Sequence, residues 1–123
     1  MKQLLLYNVN GKKEEQILNL CSSLHIAPRK VETVEFLESL GALLRVKGMT
    51  RLDIPFGGFP FTDEMLVFHD LKDKELDSFL EKYRTRGIEK IALKAQTTLH
   101  NIGWNSMKLH DELTQENKAM SQY

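Results

Sequence analysis

The stretch that decides the fold is EMLVFHD, residues 64–70. Side chains alternate between the two sides of a β-strand, so Met65 and Val67 face one side while Leu66 and Phe68 face the other. Because both sides are apolar, the pattern predicts a central strand that other elements cover above and below.

The first part of the chain repeats the order of elements around this strand. Apolar runs and helical spacing predict a strand, a helix and a strand at residues 3–9, 12–25 and 29–34, and again at 64–70, 73–87 and 89–96. Aligning Leu4 with Met65 superimposes the two halves, residues 3–34 and 64–96. Two β-α-β halves predict an α+β, ferredoxin-like split βαβ fold, in which the halves interleave in a four-stranded antiparallel sheet with the first and third strands in the middle.

The boundaries of the second predicted helix carry chemical signals. Asp73 is expected to be its N-cap, because the carboxylate can accept a hydrogen bond from a free backbone N–H. Gly87 is expected to end it, because glycine readily takes the left-handed conformation that follows many helices. The strand after it is expected to place Ile91, Leu93 and Ala95 on one face.

Residues 35–63 form an insertion between the halves. A helical pattern covers residues 34–46, although Gly41 weakens it, and a Gly- and Pro-rich loop follows that carries three phenylalanines: Phe56, Phe59 and Phe61. A terminal helix is predicted over residues 101–120. Its apolar side is expected to hold Trp104, Met107 (or Leu109), Leu113 and Met120.

The last residues, 121–123, are expected to fray. All 123 residues are predicted to form a single domain. The two crossover helices of a ferredoxin-like sheet lie on one face, so the other apolar face must be covered by something else. The candidates are the inserted helix, the Phe-rich loop, the terminal helix or a second copy of the protein.

Composition limits the partners and the compartment. Lys plus Arg and Asp plus Glu number 17 each, so the chain has no general attraction for nucleic acid or acidic lipid. No apolar run is long enough for a membrane span, and the N-terminus lacks a secretory signal. The single cysteine, Cys21, cannot form an internal disulfide. We therefore expect a cytoplasmic protein without nucleic-acid or membrane partners.

One motif is shared with a known family. The pattern Leu93-Lys94-Ala95-x-x-Thr98-x-x-Asn101-x-x-Trp104 resembles a bacterial family called domain of unknown function 3783. Shorter stretches at residues 21–26, 40–43 and 65–68 extend the resemblance over most of the chain. The family name implies a domain and no activity, so no catalytic residue follows from it.

A polar and aromatic corner follows the last predicted strand. Lys94 is either a cation for an anionic ligand or, as we favour, an edge lysine that discourages strand pairing. Thr98, His100 and Asn101 form either an anion pocket or, as we favour, the cap of the terminal helix. Trp104 is either an interface anchor or a core residue. The candidate ligand or interface residues are Lys94, Thr98, His100, Asn101, Trp104, Phe56, Phe59 and Phe61.

Metal and cofactor chemistry has no sequence pattern here. The four histidines lack metal-ligand spacing. Cys21 lies on the apolar stripe of the first helix, as inert packing thiols do. Gly57-Gly58 is not a phosphate loop, because no Gly-Lys-Ser/Thr follows it. No catalytic residue, metal or cofactor is predicted.

Three functional hypotheses follow from these observations. The leading one is a non-catalytic interaction or regulatory module that dimerises through its uncovered sheet face. The alternative is a small-molecule sensor with a ligand between that face and the Phe-rich loop. The third, less favoured, is an enzyme that uses Lys94, His100 and Asn101 in one cleft. An RNA-binding sheet is disfavoured by the charge balance.

Overall fold

A computed structural model gives the fold, and it describes the backbone of residues 1–121 and the side chains of residues 1–118. The elements in chain order are β1 Gln3–Tyr7, α1 Gly11–Ser23, β2 Ala27–Lys30, a 3₁₀ turn Thr33–Glu35, α2 Leu40–Leu43, β3 Met65–His69, α3 Asp73–Thr85, β4 Leu93–Gln96 and α4 Ser106–Ser121. The expectations for the Met120 side chain and for residues 122–123 fall outside this description.

The sheet has the strand order β2-β1-β3-β4 and is mixed. β1 pairs with β2 in parallel, β3 pairs with β4 in parallel, and the central pair β1 and β3 is antiparallel. The predicted ferredoxin-like antiparallel sheet is therefore wrong, although β1 and β3 do lie in the middle. In each half, the helix connects two strands that pair directly with each other, β1 with β2 and β3 with β4. The two halves therefore lie side by side and do not interleave.

The two halves share the element order strand, helix, strand, and their elements match when shifted by one residue from the predicted alignment. β1 and β3 have five residues each, α1 and α3 have thirteen each, and a residue with positive φ follows each strand, Asn8 in one half and Asp70 in the other. These features align Leu4 with Leu66 instead of Met65. A shift of one residue along a strand exchanges its two faces. Leu4 and Leu66 lie on the same face of the sheet, which agrees with this alignment and not with the predicted one.

The first face of the sheet packs against the two crossover helices. Leu4 and Leu6 of β1 and Leu66 and Phe68 of β3 form one buried cluster with α1 and α3. Ile91, which the sequence placed on the same face as Leu93 and Ala95, belongs to this cluster, because β4 begins only at Leu93. β4 is thus shorter than the strand predicted over residues 89–96. Residues 89–92 form a connection that packs against α3 through Ile91.

The second face is covered by the chain itself. Leu5 and Tyr7 of β1 and Met65 and Val67 of β3 are fully buried there. They form the second buried cluster together with residues of the inserted segment and of α4: Phe36, Leu40, Leu43, Leu44, Phe61 and Leu109, with Phe56, Trp104, Met107 and Leu113 packed around them. Three of the four proposed covers therefore act together.

The inserted segment is less helical than its apolar spacing predicted. Only Leu40–Leu43 is α-helical, capped by Ser39, whose hydroxyl accepts a hydrogen bond from the Ala42 N–H at 3.0 Å. A Cβ at Gly41 would overlap the Met49 sulfur, so a larger residue there would require the flexible Met49 side chain to move.

The N-terminal end of α3 differs from the prediction, and its C-terminal end agrees with it. Lys72 is the N-cap residue, and its N–H donates to Glu75 Oε1 at 2.9 Å, so Asp73 is the first helical residue and not the cap. Gly87 has φ +69°, which confirms it as the residue at which the helix stops.

Candidate functional site

A cleft lies between α3 and the β4 side of the sheet. Its volume is about 230 Å³, and its walls come from β3, α3, the connection after α3, and β4: Leu66, Phe79, Leu80, Tyr83, Arg84, Ile88, Lys90, Ile91 and Lys94. Pockets for drug-sized ligands span ~300–1,000 Å³, so this cleft fits a smaller molecule.

The interior of the cleft is apolar because α3 presents one helical face to it. Phe79 is fully buried and meets Phe68 edge-to-face, with ring centroids 5.0 Å apart. Leu80 and Tyr83 follow at helical spacing on the side that opens to solvent. Ile88 and Ile91, both buried, close the far wall.

Cations alone supply the charge of the cleft. Arg84, Lys90 and Lys94 are among its lining residues, and none of the lining residues is acidic. Within the part of the chain that the structure describes, none of these three cations forms an ion pair with a carboxylate. The charged side chains that line the cleft are therefore all positive, in a protein whose net charge is zero.

Lys94 is the most enclosed of the three cations. It pairs with Leu66 across the sheet, so its side chain starts on the helix-covered face, and its Nζ donates a hydrogen bond to the Ile91 carbonyl. Burial lowers the pKa of Lys94, and the nearby charge of Lys90 lowers it further. Both causes describe an ammonium group held among apolar and like-charged neighbours.

Tyr83 adds a neutral polar group to the rim. Its hydroxyl donates to the Glu89 carbonyl. Burial raises the pKa of Tyr83 to about 12, with further contributions from the Glu64 and Glu89 carboxylates. Those two carboxylates lie near Lys13, whose Nζ is 2.7 Å from Glu64 and 3.8 Å from Glu89, so they are paired with a cation outside the cleft.

A larger depression, of about 620 Å³, lies at the N-terminal end of β1. Three of its polar side chains are already used within the protein. Gln3 donates to the Leu44 carbonyl, Arg29 donates to Glu35, and His69 shares a hydrogen bond with Thr97. Arg29 Nη1 is buried without a hydrogen-bond partner among the described residues, and Arg45 is exposed. Because Arg29 is paired with Glu35, this depression has one lining side-chain cation without a carboxylate partner among the described residues, where the smaller cleft has three.

The polar residues predicted as a corner lie at the opposite end of β4 from the cleft cation. The Asn101 side chain donates to the Gln96 carbonyl and accepts from the Thr98 N–H. Thr98 Oγ1 accepts from the N–H groups of His100 and Asn101. These bonds stabilise a turn that precedes α4, and the N-terminus of α4 is satisfied by Asn105, which accepts from the Lys108 N–H at 2.9 Å.

Trp104 is partly buried and packs against the protein's own core. Its ring contacts the second buried cluster, with His100 edge-to-face at 5.1 Å and the Lys108 ammonium 4.9 Å from the ring centroid. Its carbonyl accepts a hydrogen bond from the Leu40 N–H at 2.8 Å. The tryptophan thus joins the terminal segment to α2.

The three phenylalanines of the loop lie in three different environments. Phe61 is buried and stacks between Phe36, at 4.7 Å, and His110, at 4.1 Å. Phe56 is half-buried near Phe36, and Phe59 is 97% exposed. They do not form a common ligand surface with the sheet, because Phe61 fills that space.

The sequence interpretation singled out Lys94 but missed its neighbours in the cleft. Tyr83 was predicted only to face the core from its helix. Arg84 and Lys90 were not predicted as site residues, because each is an ordinary exposed residue of a helix end or connection. The available signal was the series of cations at positions 84, 90 and 94 beside the apolar residues Ile88 and Ile91.

Cys21 and the metal-binding residue types form no reactive group in the described part of the chain. Cys21 is fully buried, and burial raises the pKa of its thiol to about 12. Among the described residues, no three or more His, Cys, Asp or Glu side chains lie close enough to hold a metal ion. Likewise, none of the described helices has the length and apolarity to cross a membrane.

Fold and cleft together define a small α+β protein with a mixed four-stranded sheet and a cationic, apolar cleft behind its third helix. Residues 64–120 match the model of a family described as domain of unknown function (DUF3783), the family that the sequence resembles. This range contains every residue that lines the cleft. No curated protein and no solved structure matches the chain.

The match supports the family for the second half of the chain. It includes the distinctive pattern from Leu93 to Trp104, while the shorter stretches at residues 21–26 and 40–43 lie outside it. The match therefore says nothing about activity, because the family description contains none.

Proposed function

We propose that the protein is a non-catalytic small-molecule-binding module whose site is the cleft between α3 and β4. The observation that carries this proposal is an apolar cavity of about 230 Å³ lined by three cations that form no ion pair with any described carboxylate. Ligand sites are commonly concave and apolar with a few convergent polar groups, and this cleft has that composition.

The site differs from the one expected for a sensor. A ligand between the sheet face and the Phe-rich loop would need space that Phe36, Phe61 and Leu109 occupy. The cleft on the opposite side of the sheet has open volume instead. The proposal therefore keeps the class of function, ligand binding, and moves the site.

Dimerisation stays a sequence-based prediction and is not part of this proposal. Its motive was an uncovered apolar sheet face, and α2, the inserted loop and α4 cover that face. A bacterial origin and a cytoplasmic location are likewise proposals, supported by the family resemblance and by a lone buried cysteine.

The enzymatic alternative receives no geometric support. Lys94 donates to the Ile91 carbonyl before β4, whereas the Asn101 side chain is bound to the Gln96 carbonyl at the end of the same strand. His100 lies against Trp104 on the second face. These three side chains are held at separate positions.

The experiment that tests the proposal is an NMR titration of the ¹⁵N-labelled protein with 1-octanol, an uncharged apolar probe. We expect saturable shifts at the amides of Leu80, Tyr83 and Ile91. Leu80→Trp should fill the cleft and abolish these shifts. Leu18→Trp, the same change at an exposed leucine of α1, should leave them intact. Shifts that are absent, or centred on the second buried cluster, would refute the proposal.

A further inference from the structure

We infer that the cleft selects an amphiphilic monoanion, whose apolar body lies against α3 and whose negative group binds Lys94. This inference rests on the proposed ligand-binding function. It adds the chemical class of the ligand and the residue that recognises it.

The first argument comes from how this protein treats its other enclosed cations. The side chains of Lys2, Lys13 and Arg29 are 29%, 14% and 31% exposed, and each binds a glutamate at 3.0 Å or less. An enclosed cation without a counter-charge is unfavourable, because the loss of water is not repaid. Lys94 is also enclosed, yet no carboxylate of the described residues pairs with it.

The second argument concerns the hydrogen-bonding capacity of Lys94. An ammonium group has three N–H donors, and the structure gives Lys94 one acceptor, the Ile91 carbonyl. The remaining donors are available to an oxygen atom at the mouth of the cleft. A carboxylate there would accept charge-assisted hydrogen bonds, which are about twice as strong as neutral ones.

The third argument separates this role from that of an ordinary edge lysine. A lysine that only prevents strand pairing extends into water. Lys94 is instead bound back to the connection before its own strand and lines the cavity beside Leu66 and Ile91. Arg84 and Lys90 at the rim favour the same sign of charge in any ligand that approaches.

The size of the cleft fixes the kind of anion. A volume of about 230 Å³ with a mostly apolar lining suits a short hydrocarbon or a single ring with one charged group. A polyphosphate would leave the apolar lining unused, and only one of the three cations, Lys94, is enclosed, while Arg84 and Lys90 are exposed. Medium-chain carboxylates such as octanoate therefore represent the class.

The test compares probes that share a tail and differ in the head group. Isothermal titration with octanoate, 1-octanol and octyltrimethylammonium should give the tightest binding for octanoate, about tenfold tighter than for 1-octanol, as one charge-assisted contact implies. Lys94→Met should remove this preference while binding of 1-octanol persists. Lys94→Arg should retain it. The matched control, Lys82→Met, removes an exposed lysine of α3 and should change nothing.

The outcomes distinguish the two proposals. If no probe binds, the ligand-binding function itself fails and the inference fails with it. If 1-octanol and octanoate bind equally well, the cleft is a ligand site but the anion inference is overturned. Tighter binding of octyltrimethylammonium would overturn it too. A preference for octanoate that survives Lys94→Met would overturn the role of Lys94.

Discussion

The hydroxyl groups of Tyr7 and Ser106 lie 2.7 Å apart, and both residues are fully buried. Burial raises the pKa of Tyr7 far above its ordinary value, and the hydrogen bond to Ser106 offsets this only in part. The contact joins β1 to the first residue of α4, which are 99 positions apart in the chain. It is therefore the polar point at which the terminal helix is fixed to the sheet.

We predict that Ser106→Ala lowers the free energy of unfolding by about 1–3 kcal/mol, because a buried hydroxyl loses its partner. Adding Tyr7→Phe to that variant should cost less than Tyr7→Phe costs in the wild type, since no polar atom is left unpaired. Urea unfolding of the four proteins measures both effects. Strictly additive losses would show that the two hydroxyls do not interact.

Glu35 is one of the residues whose ionisation links stability to pH. One of its oxygens accepts hydrogen bonds from Arg29 at 2.7 Å and Arg51 at 3.0 Å, and the other accepts from the Glu32 N–H at 3.1 Å. Burial alone would raise the pKa of Glu35, but these three donors outweigh it and lower the pKa.

A carboxyl whose pKa is lower in the folded state contributes stability above its unfolded pKa and loses it as pH falls through the folded value. We therefore predict that Glu35→Gln is less stable than wild type at pH 7, by about 1–2 kcal/mol. The difference should shrink as pH falls below ~4.3, the pKa of an unperturbed glutamate. Chemical unfolding from pH 7 to pH 2 measures it. A difference that is constant with pH, or matched by the exposed Glu81→Gln, would contradict the prediction.

Among the elements, the inserted segment combines little regular structure with firm attachment. Glu38 is 2% exposed, and its two carboxylate oxygens accept hydrogen bonds from the N–H groups of Leu52 and Asp53 at 2.7 and 2.9 Å. Arg51 lies 3.6 Å from the same carboxylate. One buried side chain thus fixes the start of the loop that carries Phe56 and Phe61 over the sheet.

Glu38→Ala should release this loop. We expect a loss of about 2 kcal/mol or more in the free energy of unfolding, because two backbone N–H groups lose a charged acceptor. Glu38→Gln should lose less, since the amide oxygen can still accept one bond. Hydrogen exchange would locate the effect: the Leu52 and Asp53 amides should lose protection before the amides of β1 do. Unchanged protection of those two amides in Glu38→Ala would contradict this.

The elements that sequence patterns predicted well are those whose pattern has one physical explanation. β1 and β3 are apolar on both faces, and only a covered central strand satisfies that. Helical spacing with a stop at Gly87 located α3. The inserted segment was misjudged because apolar spacing reports burial, and Phe36, Leu40 and Leu43 are buried although only four residues there form an α-helix.

The cleft was hard to predict for a related reason. Lys94 could be recognised as a candidate cation, but its surroundings depend on how far Ile91 folds under α3, which no local pattern specifies. The residues Thr98, His100 and Asn101 had the composition of an anion pocket, yet that composition equally suits a turn. Their hydrogen bonds show that they stabilise the turn.

At the scale of the whole molecule, the position of the edge strands was beyond the reach of the sequence. Hydropathy distinguishes central strands from edge strands. It cannot separate the interleaved arrangement from the side-by-side one, because β2 and β4 are edge strands in both. Whether β2 lies beside β1 or beside β3 depends on how each crossover packs. In the structure Gln3 pairs with Ala27 of β2 on one side and with His69 of β3 on the other.

This arrangement predicts which cysteine pairs can be crosslinked. Neighbouring strands lie about 4.7–4.9 Å apart, within the Cα range of about 4.4–6.8 Å that a disulfide needs. Gln3→Cys with Ala27→Cys should therefore crosslink on oxidation. Ala27→Cys with His69→Cys should not, because β1 separates these residues by about 9.5 Å. Native Cys21 is buried and can stay in place.

Mass spectrometry of non-reduced peptides would measure both yields, and the second pair serves as the control for the first. In an interleaved, ferredoxin-like sheet β2 would lie beside β3 and two strand spacings from β1, so the Gln3–Ala27 crosslink would not form. Failure of that crosslink in a folded variant would contradict the observed strand order and favour the interleaved topology. It would also displace β4 from β3, and the cleft between α3 and β4 would lose its floor at Leu66 and Lys94.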